Sequence, residues 1–294
     1  PSLPSPPHPT RLKVTSVLDY DVPAPLTFLL NVRAQTNAFQ KVVREQFILP
    51  SRMPHAVFEC ATTGSRFDRV EAEVPGVYSI RYEAEVELNA ERLQPAHLPE
   101  AGPAAFDLDV LPYLYPSRYC QSDRLGRLTL DNFGSFTTPE EKARAVVAWI
   151  STHIAYVSGS TDVGTSAVDS LVERVGVCRD FAHLGIALCR AMNIPARYFT
   201  GYAHGLPLPD FHACFETWIG GRWLVWDATG MSSPDSVVRI GTGRDAADCS
   251  ICTAFGSMRL RSMTVDCQVL DEGYEKMKPE EIAREVISLE PAAT

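Results

Sequence analysis

From Tyr78 to Leu88 apolar and polar side chains alternate without interruption. Tyr78, Ile80, Tyr82, Ala84, Val86 and Leu88 are set against Ser79, Arg81, Glu83, Glu85 and Glu87. A period of two is the signature of a β-strand with one dry face and one wet face. A chain that carries such a strand must cover the dry face with a second layer. Pro75-Gly76 marks a turn before it, and Val70 to Val74 is expected as the preceding strand. Further strand-like runs fall at 12–20, 26–34, 42–49 and 55–60. Short strands with turns between them predict an antiparallel β-sandwich over residues 11–88. Residues 1–10, with Pro1, Pro4, Pro6 and Pro7 in their first seven, read as a flexible extension.

After Leu88 the pattern changes. Pro95, Pro99, Pro103, Pro112 and Pro116 break any regular element, so 89–116 reads as a linker wrapped on the surface of a second unit, 117–294. That unit announces a helix at Thr138. Thr138 is the N-cap, Pro139 the first helical residue, and Glu141 completes a capping box. Ala143, Val146, Val147, Ile150 and Ile154 then form one apolar stripe. A polar loop follows from Ser158 to Thr165, and Val168 to Arg174 reads as a short helix. From Cys178 to Met192 the residues are good helix formers, apolar on several sides, which predicts a central buried helix. Asn193 and Pro195 stop it, and Arg197 to Ala203 reads as a strand.

His212 to Ile219 and Arg222 to Thr229 are strand-like runs separated only by Gly220-Gly221. Tight hairpin turns need positive φ, which glycine supplies. With Ile219 paired to Arg222, Cys214 faces Asp227 and His212 faces Thr229. These four side chains then share one face of the sheet, with His212 diagonal to Asp227 at roughly 7–8 Å between backbones.

The three groups Cys178, His212 and Asp227 are the parts of a nucleophilic acyl-transfer site. A cysteine in the first turn of a helix meets the positive end of the helix dipole and unpaired N–H groups, which favour thiolate. The Cys178 backbone N–H is a natural donor to a tetrahedral oxyanion. In this reading His212 takes the thiol proton and returns it to the leaving amine, while Asp227 fixes the imidazole.

The residues around these three resemble the transglutaminase-like family of the papain-like cysteine-enzyme superfamily. The matching stretches are Gly176-Val177-Cys178-Arg179-Asp180-Phe181-Ala182, Ile194-Pro195-Ala196-Arg197-Tyr198, Gly201-Tyr202, Asp210-Phe211-His212-Ala213 and Trp226-Asp227-Ala228-Thr229. Leu114-Tyr115-Pro116-Ser117-Arg118-Tyr119 and Ile154-Ala155-Tyr156 are similar to its bacterial branch, in which a β-rich domain precedes the core. The resemblance implies an α+β fold, with the Cys178 helix packed on an antiparallel sheet. It also implies Cys178 as nucleophile, His212 as base and Asp227 as orienting acid, acting through an acyl-thioester. Papain-type sites place a Gln shortly before the nucleophile as second oxyanion donor, but residues 157–177 contain neither Gln nor Asn. Tyr156 is the candidate for that role; its alternative is an aromatic closing the first helix against the core. The expected function is a cysteine-dependent peptidase or amidase acting on a peptide or protein, without cofactor. The alternatives are a protein-glutamine transglutaminase and a non-catalytic interaction module.

A net charge of −9 and no Lys/Arg runs argue against nucleic acid and anionic membrane as partners. No apolar run approaches the ~20 residues that span a bilayer. The opening Pro1–Pro7 lacks the basic start and apolar stretch of a secretion signal, which sets the expectation of a reducing, cytoplasmic compartment. The eight cysteines are accordingly expected as thiols, most of them small buried hydrophobes. Cys249-Ser250-Ile251-Cys252 with Cys267 is short of the four ligands of a structural zinc site, so no metal is expected. His183 is expected in the core, His153 and His204 outside the site, and Cys214 as a small buried residue or a liner of the site. Arg179 and Asp180 are expected to brace the loop beside Cys178, and Arg244, Asp245 and Asp248 to form structural ion pairs.

Overall fold

The computed structural model describes residues 9–50, 53–98 and 102–290. The expected extension lies outside these residues as far as residue 8, and Thr10 already begins the first strand. The β-rich third contains β1 (Thr10–Val22), β2 (Leu26–Leu30), β3 (Gln40–Ile48), β4 (His55–Glu59), β5 (Arg66–Ala72) and β6 (Gly76–Leu88). The expected strands are all present, with ends shifted; the one expected at 70–74 begins at Arg66 and stops at Ala72. In β6 the apolar residues from Tyr78 to Leu88 are buried, and their polar neighbours are exposed or half-buried.

The proline-rich stretch is more than a wrapping. It donates β7 (Glu91–Leu93), followed by short 3-10 turns at Pro95–His97, Pro103–Ala105 and Leu111–Leu114. Next come α1 (Gly126–Phe133), which the sequence pattern did not announce, and α2 (Pro139–His153). In α2 the Thr138 side chain accepts from the Glu141 N–H while the Glu141 carboxylate accepts from the Thr138 N–H. Such a cap contributes about 1 kcal/mol. Ala143, Val146, Ile150 and Ile154 are buried, and Val147 half-buried. The chain continues through β8 (Ala155–Tyr156), α3 (Ala167–Glu173), β9 (Val175–Gly176) and α4 (Cys178–Ala191). Asn193, just past α4, adopts φ +59°, the left-handed conformation that ends helices. Then follow β10 (Ala196–Ala203), β11 (His212–Ile219), β12 (Arg222–Trp226), β13 (Val237–Gly243), β14 (Cys252–Phe255), β15 (Arg259–Val269), α5 (Pro279–Ile282) and β16 (Val286–Ser288).

Two four-stranded antiparallel sheets, ordered β15-β1-β6-β3 and β14-β2-β5-β4, form the sandwich. Their facing residues, among them Leu12, Val14, Leu18, Phe28, Leu30 and Val70, share one core. A six-stranded antiparallel sheet, β13-β10-β11-β12-β16-β7, carries α4 on one face and packs its other face on the sandwich core. The architecture is α+β. Its sheets do not respect a division of the chain at residue 117. β14 and β15 pair with β2 and β1 of the sandwich, and β7 from the linker pairs with β16 of the six-stranded sheet.

Candidate active site

Cys178 is the first residue of α4 and Val177 its N-cap. The helix start is braced by Asp180, which is fully buried. Its carboxylate accepts from the Val177 N–H at 2.9 Å and from the Thr161 hydroxyl at 2.7 Å. Arg179 joins Asp180 at 3.1 Å and donates to the Asp162 carbonyl, so both residues tie the 158–165 loop to the helix. Gly176 is needed here, since a Cβ on it would lie 2.9 Å from that of Asp180. Cys178 itself is half-buried, with its Sγ 3.9 Å from the Phe211 carbonyl oxygen.

The hairpin register is as read from the sequence over its strands: Ile219 pairs with Arg222 and Phe215 with Trp226, and Gly220 and Gly221 both have positive φ. The second strand, expected to run to Thr229, stops at Trp226. Asp227 ends it. Its Oδ1 accepts from the N–H (2.9 Å) and hydroxyl (2.6 Å) of Thr229, and its Oδ2 from the N–H (2.9 Å) and hydroxyl (2.7 Å) of Ser232. These bonds fold the chain back on the carboxylate in place of a ladder. His212 Nε2 donates to the same Oδ2 at 2.9 Å, with both side chains almost wholly buried. Ser232 and Thr229 are the anchors the sequence reading did not assign; a Ser or Thr shortly after an Asp is the only local signal for them.

Charge follows geometry. Burial pushes Asp227 up, but His212, Thr229 and Ser232 outweigh it and hold the carboxyl well below its usual range. Burial pulls His212 down, and the opposing pull of Asp227, with Cys214 and the Cys178 side chain as further partners, raises it well above the ordinary imidazole value. His212 and Asp227 therefore meet at the start of β11, and Cys178, at the start of α4, has its Sγ 3.9 Å from the carbonyl oxygen of Phe211, the residue before His212. Tyr156 is there too. It pairs alongside Gly176 in the two-stranded β8–β9 ladder, and its ring packs 5.8 Å from Phe181. Burial and the Cys178 sulfur push its hydroxyl up, while the Cys178 N–H, close by, draws it down.

Cys214 shares the His212 face but is buried away from solvent, and burial with Asp227 pushes its thiol up to about 11. The ligand atoms of His212, Cys214 and Asp227 lie within 4.8 Å of one another. Both Asp227 oxygens are already filled by protein donors, so a cation there would have to displace them. Cys249 is buried and Cys252 lies on β14. His183 is fully buried between Tyr119 and Tyr198, with Nε2 accepting from the Ala246 N–H. His204 and His153 bond carbonyls elsewhere. Arg244 pairs with Asp248 at 2.9 Å, and Asp245 accepts from the Tyr119 N–H.

A cleft of about 600 Å³ adjoins this cluster, with Arg179, Tyr198, Asp210 and Phe211 along one side and sandwich residues along the other. Its lining includes the neighbours of Cys178 and His212, Arg179 and Phe211, rather than those residues themselves; a second cavity, about 520 Å³, lies by the start of α2 and the Gly220 turn, away from all of them.

The sequence of the core, residues 129–228, matches the transglutaminase-like superfamily, and residues 10–97 match the bacterial transglutaminase N-terminal domain. A crystal structure from Cytophaga hutchinsonii, described as a "putative cysteine protease", superimposes with a TM-score of 0.93 at 40% identity, over 97% of this chain and 99% of its own. The chain belongs to the transglutaminase-like superfamily. An uncharacterized protein of Mycobacterium leprae is 36% identical over 121 residues, and one of Mycobacterium bovis 33% over 173 residues. These matches cover 37% and 54% of this chain, and 43% and 53% of the two mycobacterial proteins. The α+β transglutaminase-like core behind a β-rich domain is thus established both by fold and by sequence. No helix among the described residues is long and apolar enough to cross a membrane.

Proposed function

We propose that this protein is a cysteine-dependent acyl-transfer enzyme, a peptidase or amidase that cleaves a peptide or amide bond through an acyl-thioester on Cys178. The observation that carries the reading is the placement of His212. Its Nε2 is held by Asp227 at 2.9 Å, and the Cys178 Sγ at the start of α4 lies 3.9 Å from the carbonyl oxygen of Phe211, the residue just before His212. His212 Nδ1 is then the nitrogen that takes the thiol proton. The thiolate sulfur adds to the acyl carbon, and the carbonyl electrons move onto oxygen. That oxyanion is received by the Cys178 N–H and the Tyr156 hydroxyl. The carbon–nitrogen bond breaks as His212 protonates the leaving amine. Water, deprotonated by His212, then releases the acid and restores the thiol.

No step needs a cofactor. All eight cysteines are free thiols, which supports a reducing, cytoplasmic setting. An intact Cys–His–Asp cluster beside an open cleft favours an enzyme over an interaction module, which would need none of the three. Mass spectrometry of the protein after incubation with a peptide library tests the reading. An acyl adduct on Cys178, lost with activity in Cys178→Ala, is expected; activity persisting in that variant would overturn it. Adding a primary amine to the same reaction separates hydrolysis from transglutamination, since only the latter gives an amide product.

A further inference from the structure

The cleft beside Cys178 has two unlike walls. One comes from α4, the six-stranded sheet and the segments beside them, and it carries the charged groups Arg118, Arg179 and Asp210 among Tyr119, Tyr198 and Phe211. The other comes from the sandwich. It is built by Tyr20 of β1, Ile251, and Met258, Leu260 and Met263 at and after the start of β15. Ile251, Met258 and Met263 are half-buried, and Leu260 is 46% exposed. Ile251, Met258 and Met263 pack on the sandwich core and leave part of their surface to the cleft, which suits an apolar occupant. Two of them are methionines, whose flexible thioethers repack around different shapes. Phe211 joins the cleft to the chemistry, since its side chain lines the cleft and its carbonyl oxygen is 3.9 Å from the Cys178 Sγ.

We propose that the sandwich wall, and Leu260, Met258 and Met263 in particular, selects acyl donors carrying a bulky aliphatic or aromatic side chain beside the reacting carbonyl. The proposal rests on the acyl-transfer reading above and names the substrate class for that site. The opposite wall sharpens the choice. Arg118 stacks on Tyr119 at 5.0 Å and has no carboxylate partner among the described residues. A Lys or Arg side chain in the cleft would meet Asp210 as well as the like charge of Arg118 on that wall, so it is the loss of water on the apolar wall that disfavours basic donors. The sandwich, on this account, is part of the specificity machinery.

The test compares kcat/KM of the full chain on peptide donors that differ only in the residue supplying the carbonyl. Leu, Phe and Met donors are expected to exceed Ala and Lys donors by roughly 10–200-fold. Leu260→Glu changes an exposed residue and leaves the cores intact. It is expected to raise KM for Leu and Phe donors about tenfold with little change in kcat, and to narrow their advantage over Lys. Met258→Gln is expected to act in the same direction. A small activated ester, p-nitrophenyl acetate, reports Cys178 acylation without using the wall, and its burst is expected to be equal in wild type and Leu260→Glu. If the ester acylates Cys178 but donors show no apolar preference, or Leu260→Glu leaves that preference intact, the wall does not select and the proposal falls alone. If neither ester nor peptide acylates Cys178, the acyl-transfer reading falls and takes the proposal with it.

Discussion

Replacing Asp227 by Asn keeps the volume and removes the charge. The carboxylate now accepts five bonds: two from Thr229 on Oδ1, and two from Ser232 and one from His212 on Oδ2. The amide offers one acceptor oxygen and one donor NH₂. With oxygen in the Oδ2 place, the NH₂ meets the Thr229 N–H. With oxygen in the Oδ1 place, it meets the Ser232 N–H and obliges His212 to carry its proton on Nδ1, the nitrogen that receives the thiol proton in the proposed mechanism. Either orientation leaves a buried backbone donor unpaired, at about 1–3 kcal/mol. While His212 is charged, its counter-ion is also gone, and breaking a buried pair from one side costs about 3–5 kcal/mol.

The sign with pH follows from the two shifts. Asp227 is lowered, so its stabilisation is present above the unfolded value of about 3.9 and is lost as pH falls through the folded one. His212 is raised, so its contribution is full below about 6.5 and is lost as pH rises through the folded value. In the Asn variant the strongest opposing pull on His212 is gone and burial draws it down against Cys214 and Cys178 alone, so neutralising the ring relieves the defect. The stability deficit is therefore expected to be larger at about pH 5.5 than at about pH 9, at roughly 2 °C in Tm per kcal/mol for a chain of this size. Turnover of a peptide donor is expected to fall about 10²–10⁴-fold, the scale of a lost general base. Thermal unfolding at the two pH values and kcat/KM on one donor measure both. A variant within about threefold of wild-type kcat/KM, with a pH-independent Tm deficit, would refute the account of Asp227.

Three further outcomes are expected. Tyr156→Phe lowers kcat by about 10²–10³-fold while KM and Tm stay near wild type, as for loss of one oxyanion donor; unchanged kcat would leave Tyr156 only its packing against Phe181. Gly185→Ala places a Cβ 2.5 Å from the Phe215 ring and costs about 1–3 kcal/mol in denaturant unfolding, although alanine favours helix. Glu216→Gln opens the buried network in which Glu216 bonds Arg197 at 2.6 Å and also Arg239, with Glu290 on the far side of both arginines; a loss of about 3–5 kcal/mol is expected.

Local rules made much of this legible. The β6 alternation, the α2 capping box and the Gly220-Gly221 turn are each written within a few residues, and each appears in the structure. What escaped is pairing at a distance. Met263, Val265, Cys267 and Val269 do alternate with polar residues, yet nothing near them says that β15 adds to β1 at the other end of the chain. β13 escaped for another reason. It is buried throughout, so it shows no alternation, and its buried Arg239 reads as surface until Glu216 and Glu290 are found beside it. The end of β12 was misjudged because a side chain decided it: Asp227 binds the backbone at 229 and 232 and ends the strand there.

Two thiols stand near His212, Cys214 within 4.8 Å of it and Cys178 beside the Phe211 carbonyl, and the fold gives them different environments. Along β11 successive residues point to opposite faces. Phe215 packs in the core with α4, and Gly185 is bare because Phe215 presses on it. Cys214 points the other way, into the sandwich core, where burial makes the neutral thiol the stable form. Cys178 stands at the strand's end, on the first turn of α4, half-open beside the cleft. Of the two sulfurs, only that one stands at a helix N-terminus and is partly open to solvent. Exchanging their roles would require turning β11 over, which the Gly220-Gly221 register forbids, since a slip of one residue would also carry His212 and Phe215 to the wrong faces. The hairpin thus does more than bring His212 to Asp227. It also buries Cys214 and leaves Cys178, at the start of α4, as the half-open one of the two thiols.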